Sequence, residues 1–128
     1  MLEPIWIEKD IVIALHNRHL AEFGGKTGFI DEKLLESALA RPKNLFIYKK
    51  TNISFLAAAY AFSIAKNHPF LDGNKITSLI VCFLFLEING YIVQATQEAK
   101  YEMFLQIANN NLSKNALAEW IERNLTAI

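Results

Sequence analysis

Apolar residues recur at helical spacing through most of the chain. Residues 8–23 carry apolar residues at positions 11, 12, 15, 20 and 23 and stop at a pair of glycines, a common end for a helix. Asp31 is the predicted N-cap of a second helix, which runs through Ala40 and which Pro42 is expected to stop. Ser54 is predicted to open a third, rich in alanines that let neighbouring helices approach closely.

The remaining pattern predicts three more helices. The fourth runs from about Asn74 to Asn89 and is apolar on all sides from Leu79 to Leu86, so we expect it at the centre. After a short extended link with the sequence YIVQA, Thr96 and Ser113 cap the last two helices. We therefore predict an all-α bundle of about six helices in a single domain over residues 1–128, with one short glycine-rich flap.

Composition narrows the possible classes of protein. Apolar residues make up 52% of the chain, which excludes a disordered polypeptide. Thirteen basic residues balance thirteen acidic ones, so direct nucleic-acid binding is not expected. The apolar runs are too short to span a bilayer, and the N-terminal residues lack a secretory pattern, so we expect a cytoplasmic protein without a membrane partner. The single cysteine, Cys82, is expected to be a buried thiol.

The stretch HPFLDGNKI, residues 68–76, concentrates polar chemistry between two apolar helices. Gly73 permits a positive φ, and the free N–H groups at the start of the next helix point back into the turn. Lys75 adds a positive charge to this anion-binding nest. His68 is a candidate base, and Asp72 is an oxygen ligand suited to Mg²⁺.

Two neighbouring residues of the turn are expected to be structural. Phe70 would anchor the turn in the core, and Pro69 would hold His68 extended. The same Asp-Gly-Asn sequence is also ordinary turn chemistry, so the pattern alone leaves a purely structural turn open.

His16 and His19 lie three apart on the first helix, a spacing that can ligate a metal ion. No third ligand is evident in the sequence. A partly exposed helix face is therefore the favoured interpretation of this pair.

The turn also resembles a known motif. HPFLDGNK is similar to the signature of the Fic superfamily, H-P-F-x-[D/E]-G-N-[G/K]-R, and the lysine at its eighth position matches the death-on-curing (Doc) toxin branch. The segments FGGKTGFIDEKLLESALARP, AAAYAFSIAKNHPFLDGNK and FLFLEINGY also resemble Doc-like segments, in the same order.

This resemblance implies a helical Fic fold with ATP as donor and Mg²⁺ as cofactor. His68 would deprotonate a target hydroxyl, and Asp72 would hold Mg²⁺ as a second catalytic residue. The resemblance further implies that four residues of the turn bind the cofactor: Phe70, Gly73, Asn74 and Lys75. It also implies a flap that aligns the target chain by strand addition, formed by Gly25, Lys26, Thr27 and Gly28.

The Doc branch transfers the γ-phosphate of ATP to a threonine of elongation factor Tu and is restrained by a separate antitoxin. The resemblance therefore implies a kinase toxin with a Phd-type antitoxin as partner.

Protein AMP transfer, the reaction of most Fic enzymes, is an alternative that Lys75 disfavours. Ile76 and Ile30 stand where Doc-like chains carry arginines. A catalytically impaired protein that binds nucleotide or antitoxin is the other alternative.

Overall fold

The structure is a computed structural model and describes residues 2–49 and 51–128. Within these ranges the chain forms six helices and two short strands: α1 (Lys9–Phe23), α2 (Glu32–Lys49), α3 (Ile53–Asn67), α4 (Asn74–Ile88), β1 (Tyr91–Val93), α5 (Gln97–Ala108), α6 (Lys114–Asn124) and β2 (Leu125–Ala127). The predicted all-α bundle of about six helices is confirmed.

Three helix starts follow the capping residues that the sequence predicts. The side chain of Asp31 accepts a hydrogen bond from the Lys33 N–H at 2.9 Å. Thr96 and Ser113 accept from N–H groups three residues later, at 3.0 and 3.1 Å. Each side chain satisfies one of the donors that the first turn of a helix leaves without an acceptor.

Helix α3 begins slightly earlier than predicted. Its N-cap is Asn52, whose Oδ1 accepts from the Phe55 N–H at 3.1 Å, and Ser54 lies inside the helix with a buried hydroxyl. Asparagine and serine are comparable N-caps, so the choice between them depends on which position faces solvent. Asn52 is the exposed one.

The prediction that Pro42 stops the second helix is wrong, since α2 continues to Lys49. Proline lacks the N–H that would bond the carbonyl of Ala38, which removes one helical hydrogen bond. Pro42 is itself buried, and Leu45 and Phe46 beyond it pack against the core. Burial of these residues outweighs the local preference to end the helix.

Helices α3 and α4 form the centre of the bundle. Helix α4 packs against α1, α3, α5 and β1, which confirms its predicted central position, and α3 packs against α2, α4 and α6. Cys82 on α4 is buried, and burial raises the pKa of its thiol to about 12. No helix within the described ranges has the length and hydropathy needed to cross a membrane.

The predicted extended link is a strand with a distant partner. Tyr91–Val93 pairs antiparallel with Leu125–Ala127, which joins the residues after α4 to those after α6. Close to this sheet, the side chain of Asn89 bonds the main chain of Ile5 in both directions, at 2.8 Å to its N–H and 3.0 Å to its carbonyl. These contacts fix the end of α4 that lies farthest along the chain from the 68–76 segment.

Candidate active site

The turn between α3 and α4 begins at His68, which is exposed and ends α3 in the left-handed conformation, with φ 52° and ψ 55°. Its N–H donates to the Ile64 carbonyl at 3.1 Å. The expectation that Pro69 holds His68 extended is therefore wrong, because the common left-handed helix ending prevails here over the preference of a residue before proline. A non-glycine residue in this region is uncommon and costs about 1–3 kcal/mol, and such residues cluster at functional sites.

Phe70 and Asn74 hold the turn together. The Phe70 N–H donates to Asn74 Oδ1, and Asn74 Nδ2 donates to the Phe70 carbonyl, both at 2.9 Å. The carboxamide thus bonds Phe70 as a neighbouring β-strand would. Both residues are at most 3% exposed, so water cannot replace either bond. The Asn74 side chain is occupied by the turn, and its contribution to a phosphate cradle is restricted to its backbone N–H.

His16 on α1 supports the same turn from behind. It is 1% exposed, and its ring stacks on Phe70 with centroids 3.7 Å apart and planes 9° apart. Its Nε2 lies 2.7 Å from the Asp72 carbonyl oxygen. A carbonyl can only accept, so Nε2 carries the hydrogen. The other ring nitrogen, Nδ1, is buried without a partner in the part of the chain that the structure describes.

Asp72 is exposed at the entrance of the turn, and backbone groups orient its carboxylate. Oδ1 accepts from the Gly73 N–H at 2.9 Å, and Oδ2 accepts from the Lys26 N–H at 3.3 Å. The second contact brings the flap to the turn. A Cβ on Gly25 would lie 3.0 Å from Asp72 Oδ2, so only glycine lets the flap approach this closely.

The end of the flap and the two residues after it pair with the turn in a single antiparallel bridge. The Ile30 N–H donates to the Pro69 carbonyl at 2.8 Å, and the Leu71 N–H donates to the Gly28 carbonyl at 3.0 Å. Phe29 lies opposite Phe70, and their rings stack with centroids 5.1 Å apart.

The other edge of the flap is available. In an antiparallel pair of this kind, the N–H and C=O of Phe29 point away from the turn. They have no hydrogen-bond partner within residues 2–49 and 51–128. The four residues before Phe29, predicted as a target flap, are all exposed: Gly25, Lys26, Thr27 and Gly28. An extended peptide can add to such an edge.

The start of α4 offers a set of backbone donors. Gly73 is its N-cap, with φ 76°, and the first helical hydrogen bond runs from the Thr77 N–H to the Gly73 carbonyl at 3.1 Å. The N–H groups of Asn74, Lys75 and Ile76 have no acceptor among the described residues. Together with the positive end of the helix dipole, they can bind an anion.

Lys75 is bound elsewhere in this structure. Its Nζ donates to the Ala108 carbonyl at the end of α5, at 2.7 Å. A lysine side chain is long and flexible, so it can exchange this carbonyl for a phosphate oxygen. Ile76 is half-buried, and its aliphatic side chain presents no donor to an anion at the start of α4.

The turn offers one carboxylate, that of Asp72, as a ligand for Mg²⁺. Within the described ranges, no cluster of three histidine, cysteine, aspartate or glutamate residues could hold a metal ion. Asp72 is exposed beside the N–H groups that have no acceptor among the described residues. Magnesium commonly takes one or two carboxylates and completes its coordination with substrate phosphates and water, so Asp72 fits an ion that arrives with a nucleotide.

The role of His16 was not predicted from the sequence. The pair His16 and His19 was expected on a partly exposed helix face, which is wrong for His16 because it is buried under the turn. His19 is half-buried and packs against Phe23, with ring centroids 4.9 Å apart. The helical spacing of the two residues gave no signal of this contact, because the Asp72 carbonyl lies 56 positions away in the sequence.

Comparison with known proteins agrees with this geometry. The family model described as Fic/DOC family matches residues 6–86. The chain is 29% identical over 118 residues to "Protein kinase doc" of Escherichia phage P1, covering 91% of this chain and 93% of that protein. It is 41% identical over 71 residues to "Toxin Doc" of Mycolicibacterium smegmatis, covering 53% of this chain and 54% of that one. The chain therefore belongs to the Fic/DOC family, in its Doc branch.

Proposed function

We propose that the chain is a cytoplasmic Doc-like kinase toxin that transfers the γ-phosphate of ATP to a threonine hydroxyl of a translation factor such as elongation factor Tu. The observation that carries this proposal is the exposed His68 beside three backbone N–H groups without acceptors at the start of α4. The similarity to a protein named as a kinase, which extends over 91% of this chain, supports it.

Each part of the site has a role in that reaction. His68 accepts the proton of the target hydroxyl as its oxygen bonds to the γ-phosphorus and the bond to the ADP oxygen breaks. The N–H groups at the start of α4 stabilise the negative charge on the phosphates. Asp72 would hold Mg²⁺, which neutralises phosphate charge when bound. The free edge of Phe29 aligns the target segment as an added strand.

A Phd-type antitoxin is the proposed partner that restrains this activity. Its support is the similarity to Doc toxins, including the one named "Toxin Doc".

A second candidate function has its own observation. Ile76 replaces an arginine of the motif, and Lys75 Nζ is bound to the Ala108 carbonyl. Both reduce the positive charge available to a phosphate. These two features are expected in a protein that binds nucleotide or antitoxin and transfers little or no phosphate.

A labelling experiment tests the proposal and separates the candidates. The protein is incubated with Mg²⁺, elongation factor Tu and ATP labelled at either the α- or the γ-phosphate. We expect γ-label on the factor and none from the α position. Label from the α position would instead identify an AMP transferase.

Three variants run beside the parent protein. His68→Ala is expected to reduce transfer by roughly 10²-fold or more, because the base is lost. His19→Ala is the matched control on α1 and should keep parent activity. Ile76→Arg is expected to raise transfer by roughly 10²–10³-fold by adding a charged donor to the phosphates. If neither the parent protein nor the Ile76→Arg variant transfers label, while both still bind nucleotide, the second candidate function is supported.

A further inference from the structure

Three residues of the turn lie against the buried ring of His16. The ring stacks on Phe70, and its Nε2 donates to the Asp72 carbonyl oxygen at 2.7 Å. Gly73 lies close to the same edge of the ring, since a Cβ there would be 3.6 Å from both Nε2 and Cδ2. One side chain of α1 therefore contacts the peptide group that joins Asp72 to Gly73.

The hydrogen-bond donor, rather than the ring, is what histidine adds at this position. Nδ1 is buried and has no partner among the described residues, and a buried polar atom without a partner costs free energy. A phenylalanine ring would fill a similar space and keep the stack on Phe70 without that cost. The contribution specific to histidine is thus the bond from Nε2 to the Asp72 carbonyl.

This bond fixes the direction of a whole peptide group. In a trans peptide the C=O and the N–H lie in one plane and point in opposite directions. The Asp72 carbonyl points inward to the buried His16, so the Gly73 N–H points outward, where it donates to Asp72 Oδ1 at 2.9 Å. The peptide group is therefore bonded at both ends, by His16 behind the turn and by the Asp72 carboxylate at its entrance.

The reverse orientation of this peptide group is open to the backbone. Gly73 has φ 76°, and glycine occupies negative φ about as readily as positive φ. Rotation of the group would turn the Asp72 carbonyl oxygen outward, toward the carboxylate of the same residue. The carboxylate would lose the Gly73 N–H and face a second acceptor instead, so it would move away from its present position.

We propose that His16 is a positioning residue for Asp72, because it fixes the Asp72–Gly73 peptide group in the orientation that holds the carboxylate ready for Mg²⁺. The inference rests on the proposed function in one respect, the assignment of Asp72 as the Mg²⁺ ligand. His16 lies behind the turn and acts on the ion only through its ligand. Loss of a group that orients a metal ligand commonly weakens metal binding by about 10–100-fold.

Two substitutions separate the donor from the ring. His16→Phe keeps an aromatic ring on Phe70 and removes the donor. His16→Gln keeps an N–H donor and removes the ring. The matched control is His19→Phe, which makes the same change about one turn further along α1 at a half-buried position.

NMR measures the orientation of the peptide group without nucleotide or metal. Residual dipolar couplings report the direction of the Gly73 N–H. We expect this direction to be kept in His16→Gln and in the His19→Phe control, and to change in His16→Phe. In the parent protein, the ¹⁵N signals of the His16 ring should show the hydrogen on Nε2.

Calorimetric titration with ATP, once with Mg²⁺ and once with EDTA, measures the consequence for the ion. With Mg²⁺, we expect His16→Phe to weaken binding by about tenfold and the other two variants to stay within about threefold of the parent protein. With EDTA, His16→Phe should bind ATP as the parent does. A purely structural role of His16 would lower both affinities together and would give His16→Gln no advantage over His16→Phe.

Several outcomes would overturn the inference. They are an unchanged direction of the Gly73 N–H in His16→Phe, equal losses of Mg²⁺-dependent affinity in His16→Phe and His16→Gln, or the hydrogen on Nδ1 in the parent protein. The N–H direction is measured without nucleotide, so it decides the inference even in a chain that transfers no phosphate. Reorientation of this N–H in His16→Phe together with no label on elongation factor Tu would contradict the proposed function and leave the role of His16 standing.

Discussion

The candidate site has two walls that are built in different ways. The turn wall, residues 68–74, is fixed by buried side chains: the Asn74 carboxamide bonds Phe70 in both directions, and His16 stacks on Phe70 from behind. The flap wall, residues 24–30, is exposed except at Phe29 and is attached mainly by backbone hydrogen bonds.

The difference teaches where sequence variation is tolerated in this site. Side chains determine the shape of the turn wall, so substitutions there change the fold as well as the chemistry. The flap wall depends on backbone groups and on glycine conformations, so its side chains are available for recognition of a target. This contrast predicts large stability effects for side-chain substitutions that support the turn wall, and small ones in the flap wall except at its glycines.

The largest effect is expected at Asn74. Asn74→Ala leaves the buried N–H and C=O of Phe70 without partners and should lower the free energy of unfolding by about 2–4 kcal/mol, measured by urea denaturation. Asn74→Asp keeps the acceptor and loses the donor, so its free energy of unfolding should lie between those of the parent protein and of Asn74→Ala. Asn115→Ala, at an exposed position of α6, is the control. An Asn74→Ala variant as stable as this control would show that the turn wall does not depend on the carboxamide.

Alanine substitutions at Gly24 and Gly25 separate the cost of steric contact from the cost of backbone strain in the flap wall. A Cβ on Gly25, at φ 129°, would lie 2.7 Å from Leu20 Cδ2 and 3.0 Å from Asp72 Oδ2, whereas a Cβ on Gly24, at φ 88°, meets nothing within 4 Å. Both alanine variants carry backbone strain, and we expect Gly25→Ala to lose about 1–3 kcal/mol, the larger loss of the two. Thermal unfolding measures the difference. Equal losses would mean that strain alone determines the result.

A smaller effect is expected at His16. His16→Phe keeps an aromatic ring against Phe70 but removes the hydrogen bond to the Asp72 carbonyl, and should cost about 0.5–1.5 kcal/mol. The amide NMR signals of Asp72 and Gly73 should shift because the turn loses its support. His16→Ala, which also removes the ring, should cost clearly more. A His16→Phe variant with increased stability would contradict the proposed support.

The smallest effect is expected in the flap. Lys26→Ala should change the free energy of unfolding by less than about 0.5 kcal/mol, because its side chain is exposed and its contact with Asp72 is made by the backbone N–H. Urea denaturation beside Asn74→Ala makes the contrast direct. A loss comparable to that of Asn74→Ala would remove the distinction between the two walls.

Local features of the site and fold could be predicted from the sequence. The N-caps Asp31, Thr96 and Ser113 act on donors within three residues, so the signal and its effect lie in one short segment. The backbone N–H groups without acceptors at the start of α4 follow in the same way from Gly73 and the helix after it. Both depend on neighbouring residues only.

Features that join distant segments could not be predicted. The contact of His16 with Asp72, the pairing of β1 with β2 and the continuation of α2 through Pro42 depend on packing that no local pattern records. Asn74 shows the same limit within the motif. Its position was predicted, but the bonds to Phe70 that occupy its side chain were not.

The reciprocal bonding of Asn89 has a consequence for the chemical ageing of the protein. Asn89-Gly90 is the dipeptide in which asparagine most readily deamidates, through attack of the following N–H nitrogen on the side-chain carbonyl. Here the Asn89 carboxamide is held by Ile5 and by the Phe85 carbonyl, and the Gly90 N–H donates to the Glu87 carbonyl at 3.1 Å. Attack requires these bonds to break, so the folded chain protects its most vulnerable amide and only unfolded molecules lose it at the rate of a free peptide.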